Sequence, residues 1–170
     1  MNRRLLGWIR YIAGLALSLF LLTHAGGLSR VSGESMLPSL NHTDILLVNK
    51  LSTYINKPKY GDVVVIRSES LGYSLVKRVI AAEGDSVAIS DGIVYVNHNP
   101  LTELYSIGTP ADMAPQQVAA GYVFVLGDNR DPGASLDSRS PQLGQVPVSH
   151  ITGYALVKLL PWGAIASPLS

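Results

Sequence analysis

The chain has 170 residues, a formal net charge of +1 and no cysteine. Its length fits one domain, and the lack of Cys excludes disulfides, thiol nucleophiles and thiolate metal ligands. The four His residues show no metal-ligand spacing and the charge is close to zero, so we expect no metal, no cofactor and no nucleic-acid partner. An apolar content of 47%, with 16 Gly and 10 Pro, predicts a mostly β protein with many turns.

The N-terminus predicts a membrane anchor. "MNRRLLGWIR" is basic, and the following run from Tyr11 to Leu28 contains no Asp, Glu, Lys or Arg. A helix over this run would span roughly 27 Å, close to the thickness of a bilayer core. The basic start predicts that residues 1–28 form a cytoplasmic N-terminus and a single-pass transmembrane anchor, with residues 29–170 outside the cytoplasm. A cleaved signal peptide is the alternative, because "THAGG" offers small residues.

The rest of the chain has the pattern of strands and turns. In chain order, the predicted strands lie in "DILLVNKL", "GDVVVIRS", "YSLVKRVIAAEGD", "GYVFVLGDNR" and "ITGYALVKLLPW". Between the third and fourth, "SVAISDGIVYVNHN" predicts a hairpin that turns at Asp91-Gly92. Residues 99–120 have no sustained period, so we expect an irregular cap insertion there.

Two residues are candidates for chemistry. In "SLVKRVI", period-two alternation places either Lys77 or Arg78 on an apolar face. A lysine among apolar neighbours loses hydration of its charged form, so its pKa falls and it can act as a general base. An edge-strand or snorkelling lysine is the ordinary alternative. Ser35, in "SGESMLPSL", is either a turn residue or a nucleophile, and Lys77 is the obvious base for it.

Four blocks in a fixed order carry a resemblance to a known family. They are "GESMLPSL" from Gly33, "GDVVV" from Gly61, "KRVIAAEGD" from Lys77 and "GDNRDPGASLDSR" from Gly127. With these blocks behind its apolar N-terminal run, the chain resembles the bacterial type I signal peptidases. These are membrane-anchored Ser-Lys endopeptidases of the S26 family, which remove signal peptides from exported proteins. The resemblance implies an antiparallel, coiled, barrel-like β fold shared with repressor-type proteases, with one transmembrane helix and a small cap.

The resemblance also assigns roles to residues. It makes Ser35 the nucleophile and the donor of a backbone N–H to the oxyanion, Lys77 the general base, and Ser135 the residue whose hydroxyl orients the lysine amine. Two further groups are implied: structural support from Asp128, Arg130, Asp137 and Arg139, and a substrate groove lined by Val31, Met36 and Leu37. Because a carboxylate partner would keep Lys77 protonated, we expect neither Asp128 nor Asp137 to touch it.

Two positions depart from the family pattern. One subgroup has a Ser two residues before the nucleophile, whose hydroxyl helps to stabilise the oxyanion, but Gly33 stands there, so the second oxyanion donor stays open. Three residues separate Asp131 from Ser135, where the family pattern has one, and a turn at Pro132-Gly133 could absorb the difference.

The implied partners are a phospholipid membrane and preprotein signal peptides with small residues before the cut. We expect a monomer that cleaves these peptides at the outer face of the cytoplasmic membrane. A family member dedicated to one pilin, conjugation or secretion-system precursor is an alternative. A membrane-tethered β domain that binds peptides without cleaving them is another, and a soluble repressor-type autoprotease fits poorly with the apolar N-terminal run.

Overall fold

The computed structural model describes residues 3–68 and 71–168 of the chain. This part contains helix α1 (Arg3–Ala25), a one-turn helix α2 (Ser52–Ile55) and a short 3-10 turn (Val148–His150). The remaining elements are strands: β1 (Gly26–Arg30), β2 (Ile45–Asn49), β3 (Val63–Ser68), β4 (Tyr73–Ala82), β5 (Ser86–Ser90), β6 (Ile93–Val96), β7 (Asn99–Pro100), β8 (Met113–Gln117), β9 (Tyr122–Leu126), β10 (Val146–Pro147), β11 (Ile151–Leu160) and β12 (Gly163–Ala164).

The strands form two antiparallel sheets. The larger sheet has the order β1-β2-β11-β3-β4-β9-β10, with β12 paired to β11, and the smaller has the order β7-β6-β5-β8. This confirms the predicted mostly antiparallel β class, while the description as a coiled barrel stays a prediction. Each sequence run named above contributes a strand, and β5 and β6 pair across a turn in which Asp91 and Gly92 both have positive φ.

The segment 99–120 is more ordered than its sequence indicates. Its middle lacks helix and strand, as predicted, but β7 pairs with β6 and β8 pairs with β5. The expectation of an irregular segment is therefore wrong for Met113–Gln117. This strand lies at the sheet edge and includes Pro115, so backbone pairing to β5 defines it and no alternating apolar pattern reveals it.

The N-terminal helix also differs from the prediction. It ends at Ala25, and Gly26 begins β1, which pairs with β2 through Gly26 opposite Asn49. The predicted helix to Leu28 is therefore too long at its C-terminal end, because two consecutive glycines disfavour helix and a sheet edge is available to pair with them. In the residues that the structure describes, no helix is both long enough and apolar enough to cross a membrane.

Three hydrophobic clusters fill the interior. One lies under the middle of the larger sheet around Val64, Val79 and Val125, and a second joins β4 and β9 to the smaller sheet around Phe124. The third contains Val31, Met36 and Leu40. This third cluster lies directly beneath the loop that carries Ser35, so it connects the core to the candidate site.

Candidate active site

Ser35 lies in the loop between β1 and β2. Gly33 precedes it with a φ of +96°, a conformation that favours glycine, and the Gly33 N–H donates to His42 Nδ1 at 3.1 Å. After Ser35, Met36 is 1% exposed and its carbonyl accepts from the Leu40 N–H at 2.8 Å. The loop is thus held on both sides of Ser35, which itself stays partly exposed.

Lys77 approaches Ser35 from β4. Its side chain is 2% exposed, between the buried neighbours Leu75 and Val79 of the same strand face. Lys77 Nζ donates to Ser35 Oγ at 2.7 Å. Burial is the main cause that lowers the Lys77 pKa to about 8, against the opposing influence of Asp137 and Asp128. A substantial fraction of Lys77 is therefore neutral near pH 8, as a general base requires.

The carboxylates near Lys77 are paired with arginines. Asp128 accepts two hydrogen bonds from Arg78, at 2.8 and 2.7 Å, and both side chains are fully buried. Asp137 accepts from Arg139 at 2.9 and 2.8 Å. Among the described residues, the ion pairs include none between Lys77 and a carboxylate. The sequence-based expectation that Asp128 and Asp137 leave Lys77 untouched agrees with these contacts.

Asp137 and Arg139 support the loop that follows β9. Burial alone would raise the pKa of Asp137, but hydrogen bonds and charge from Arg139 outweigh it and hold that pKa below its ordinary value. The ionised carboxylate accepts the Gly127 N–H at 3.1 Å, and Arg139 also donates to the Arg130 carbonyl at 2.7 Å. The pair therefore supports the backbone of the block that begins at Gly127.

Gly127 lies where the backbone approaches Ser35 and Ser135 closely. A Cβ atom added there would clash with the Ser35 carbonyl oxygen and with Ser135 Oγ. The Ser135 hydroxyl is near enough to Asp137 to help lower its pKa, but its buried Oγ has no hydrogen-bond partner of normal geometry in the described part of the chain. The structure thus brings Ser135 to the site without a hydrogen bond to Lys77.

Of the two backbone groups of Ser35, the carbonyl is hydrogen-bonded and the N–H is free within the part of the chain that the structure describes. Its carbonyl accepts the Asn129 N–H at 3.0 Å, while the described residues supply no acceptor to its own N–H. That N–H is therefore available to an oxyanion. The Gly33 N–H is already used by His42, so it does not serve as the second donor in this conformation.

A cleft of about 560 Å³ opens beside Ser35 and Lys77. Of the predicted groove residues, Val31 and Met36 line it, whereas Leu37 does not and donates its N–H to the Glu34 carbonyl instead. Two strand edges border the cleft, because residues 29–33 and 73–77 both contribute to its wall. In the described residues, β9 pairs with β4 only from Arg78 onward, so the earlier part of β4 keeps a free edge.

Sequence reasoning assigned no role to three residues of this site: Arg78, Glu103 and Tyr105. Arg78 Cζ lies 4.0 Å from the centre of the Tyr105 ring, and Arg130 pairs with Glu103 at 2.5 Å. A signal existed for Arg78, because two adjacent cations in an apolar strand cannot both face water. Glu103 and Tyr105 gave none, since they lie in the span without a pattern. No group of three His, Asp or Glu side chains in the described residues has an arrangement that would hold a metal ion.

Similarity to known proteins identifies the protein family to which the chain belongs. Residues 4–160 match the family described as signal peptidase, peptidase S26. The chain is 35% identical over 168 residues to a probable signal peptidase I-1 of Synechocystis sp., covering 92% of this chain and 84% of that protein. A signal peptidase I of Leptolyngbya laminosa is 36% identical, with 86% and 75% covered. The chain therefore belongs to the S26 signal peptidase family, a family of hydrolases that cleave peptide bonds.

A solved structure also supports membership of this family and indicates the type of enzyme within it. A signal peptidase I from Enterococcus faecalis matches with a TM-score of 0.51 and 28% identity, covering 59% of this chain and 97% of that one. Relatives and fold together identify the enzyme type as signal peptidase I, whose substrates are preprotein signal peptides.

Proposed function

We propose that this signal peptidase cleaves its substrates with a Ser35-Lys77 dyad. The observation that carries the proposal is the 2.7 Å hydrogen bond between Lys77 Nζ and Ser35 Oγ, in a place where burial lowers the lysine pKa to about 8. When Lys77 has lost its proton, the bond reverses and the Ser35 hydroxyl donates to the amine. That is the ground state from which a serine can attack.

The reaction then proceeds by two acyl transfers. Ser35 Oγ attacks the scissile carbonyl carbon while its proton moves to Lys77 Nζ, and the oxyanion that forms is stabilised by the Ser35 N–H. The C–N bond breaks, the protonated Lys77 gives its proton to the leaving amine, and the signal peptide remains as an ester on Ser35. Water, deprotonated by Lys77, hydrolyses the ester and restores the dyad.

The roles of the supporting residues follow from their contacts. Asp128, Arg130, Asp137 and Arg139 maintain the backbone from 127 to 130. Ser135 lies against Gly127, and we propose that its hydroxyl orients the lysine amine once that amine has rotated toward the leaving group. Burial lowers the Lys77 pKa. Because Arg139 and Arg78 pair with Asp137 and Asp128, these carboxylates do not reverse that shift.

Substrate binds in the cleft as an extended strand. Backbone groups of residues 29–33 and 73–77 border the cleft, so a peptide laid there can pair with free strand edges. Val31 and Met36 line the cleft with apolar surface, which we propose receives the small side chains before the cut. Leu37 does not line the cleft, so we do not expect it to contact the substrate.

The location rests on the sequence. Arg3, Arg4 and Arg10 precede the run from Tyr11 to Leu28, which contains no Asp, Glu, Lys or Arg. We propose that helix α1 (Arg3–Ala25) anchors the enzyme, as a monomer, with its N-terminus in the cytoplasm and the dyad at the outer face of the membrane. Protease treatment of intact spheroplasts tests this: the β domain should be digested, and a tag at residue 1 should be protected.

The dyad itself is tested with the detergent-solubilised enzyme and a preprotein that has Ala at the first and third positions before the cut. Cleavage should be lost in Ser35→Ala and in Lys77→Met. Equal cleavage by wild type and both variants would contradict the dyad. A panel of unrelated preproteins tests breadth, because cleavage of a single pilin-like precursor would indicate a dedicated peptidase.

A further inference from the structure

A short stretch of the segment that follows β7 lies between the two loops of the active site. We call residues 103–107 the clamp. On one side, Ser106 forms a bridge with Pro38 and the Tyr105 carbonyl accepts from Ser39 Oγ at 3.4 Å. On the other side, the Ile107 N–H donates to the Asp128 carbonyl at 3.0 Å. The clamp therefore contacts both the loop of the nucleophile and the loop after β9.

The strongest contact of the clamp is an ion pair. The Glu103 carboxylate accepts two hydrogen bonds from Arg130, at 2.5 and 2.6 Å, with the Arg130 side chain 2% exposed. Burial acts against the charged form of Arg130, but hydrogen bonds and charge from Glu103 outweigh it and raise the Arg130 pKa. A bidentate, charge-assisted pair of this kind fixes both position and orientation of the guanidinium.

A tyrosine adds to the pair. The Tyr105 hydroxyl donates to Glu103 Oε1 at 2.5 Å, and its ring lies 4.0 Å from the Arg78 guanidinium carbon. Tyr105 thus joins Glu103 to the Arg78–Asp128 pair and orients the carboxylate that Arg130 receives.

Arg130 connects the Glu103 ion pair to the backbone of Ser35. Its Nε donates to the Gly127 carbonyl at 2.7 Å, which closes the loop from 127 to 130 on itself. Within that loop, the Asn129 N–H donates to the Ser35 carbonyl at 3.0 Å. Displacement of Arg130 would therefore release the backbone of the nucleophile, together with the N–H that faces the oxyanion.

We propose that Glu103 is a positioning residue for catalysis, which acts through Arg130 and Asn129 to hold the Ser35 backbone in its reactive position. This rests on the proposed role of Ser35. Glu103 does not line the cleft beside Ser35 and is not among the groups that set the Lys77 pKa, so its removal should lower kcat while leaving KM and the acidic limb of the pH profile in place.

The experiment compares Glu103→Gln with Glu83→Gln, a matched control whose carboxylate accepts an exposed backbone N–H, that of Gly121. All variants are assayed with the preprotein substrate well below their unfolding temperatures. We expect Glu103→Gln to lower kcat about tenfold with KM within about twofold, since small misplacement of reacting groups is costly. Tyr105→Phe should give a smaller loss of kcat in the same direction, and Glu83→Gln should match wild type.

The outcomes separate this proposal from the dyad. An unchanged kcat in Glu103→Gln would contradict the proposed positioning role of Glu103. A rise in KM alone, or a fall in thermal stability without a change in kcat, would contradict it as well. If Glu103→Gln does not fold, Tyr105→Phe decides by the same criteria, since it keeps the ring against Arg78. Activity retained by Ser35→Ala would instead contradict the proposed function, whatever Glu103 does.

Discussion

Lys77 and Arg78 are consecutive residues of β4, and both are removed from water, with 2% and 0% of their surface exposed. Their surroundings are opposite. Arg78 has a bidentate carboxylate partner in Asp128, whereas the nearest partner of Lys77 is the neutral hydroxyl of Ser35. Burial alone therefore does not determine what a cation does.

The difference in partners decides the chemistry. A guanidinium stays protonated in proteins and offers a fork that matches a carboxylate, so it is suited to hold structure. A buried ammonium without a carboxylate loses hydration and gains little in return, so it readily gives up its proton. Adjacent positions of β4 thus place a structural cation, Arg78, on one face of the strand and a general base, Lys77, on the other.

The largest expected effect is on activity. Ser35→Ala and Lys77→Met should each reduce kcat/KM by about 10⁴-fold or more, because each removes one of two groups that act as a unit. The double variant should be no worse than either single one. Initial rates of preprotein cleavage measure this, and additive losses in the double variant would contradict a shared step.

The two cations should have opposite effects on stability. Arg78→Met should lower the free energy of unfolding by about 3–5 kcal/mol, because it leaves Asp128 buried and unpaired. Lys77→Met should raise that free energy at pH 7 by up to about 3 kcal/mol, since folding costs Lys77 its ordinary affinity for a proton. Urea unfolding of both variants at pH 7 provides the measurement.

The sign of the lysine effect can be checked with pH. The folded Lys77 has a pKa of about 8, below its ordinary value of 10.5, so between these values the unfolded chain binds more protons. Wild-type stability from this group therefore falls as pH falls through that window and is fully lost below about 8. The advantage of Lys77→Met should disappear near pH 11, and an advantage that persists there would contradict this explanation.

A smaller effect is expected at Gly127. Gly127→Ala puts a methyl group against the Ser35 carbonyl and Ser135 Oγ, so it should displace the nucleophile and lower kcat by about 10²-fold. Gly163→Ala is the control, because the added methyl meets only the flexible Lys158 side chain at 3.4 Å. Equal kcat in the two variants would show that the close approach at Gly127 has no catalytic consequence.

The smallest expected effect is a shift in the pH dependence of kcat/KM. In wild type, kcat/KM should fall about tenfold per unit as pH drops below about 8, as Lys77 becomes protonated. Asp137 raises the Lys77 pKa and Arg139 lowers it, so Asp137→Asn should move the acidic limb to lower pH. Asp91→Asn, in the turn between β5 and β6, should leave the limb in place. A shift toward higher pH in Asp137→Asn would reverse the assigned electrostatics.

Much of the fold could be predicted because its signals are local. The Asp91-Gly92 hairpin, the alternating run around Lys77 and the β-branched strand from Val63 are properties of short windows. The strand Met113–Gln117 could not be predicted in this way, because a neighbouring strand orders it. For the same reason the sequence does not reveal where α1 ends, since pairing with β2 decides that Gly26 belongs to β1.

The strand pattern, the two reactive residue types and the order of the four blocks could all be predicted, because they depend only on residue identity and spacing. Only the tertiary structure decided that Ser35 and Lys77 meet at 2.7 Å, that each nearby carboxylate already has an arginine, and that Glu103 and Tyr105 belong to the site. The physical reason is distance. Burial, pKa and charge pairing depend on which atoms surround a group, and the two residues whose atoms react lie 42 positions apart in the chain.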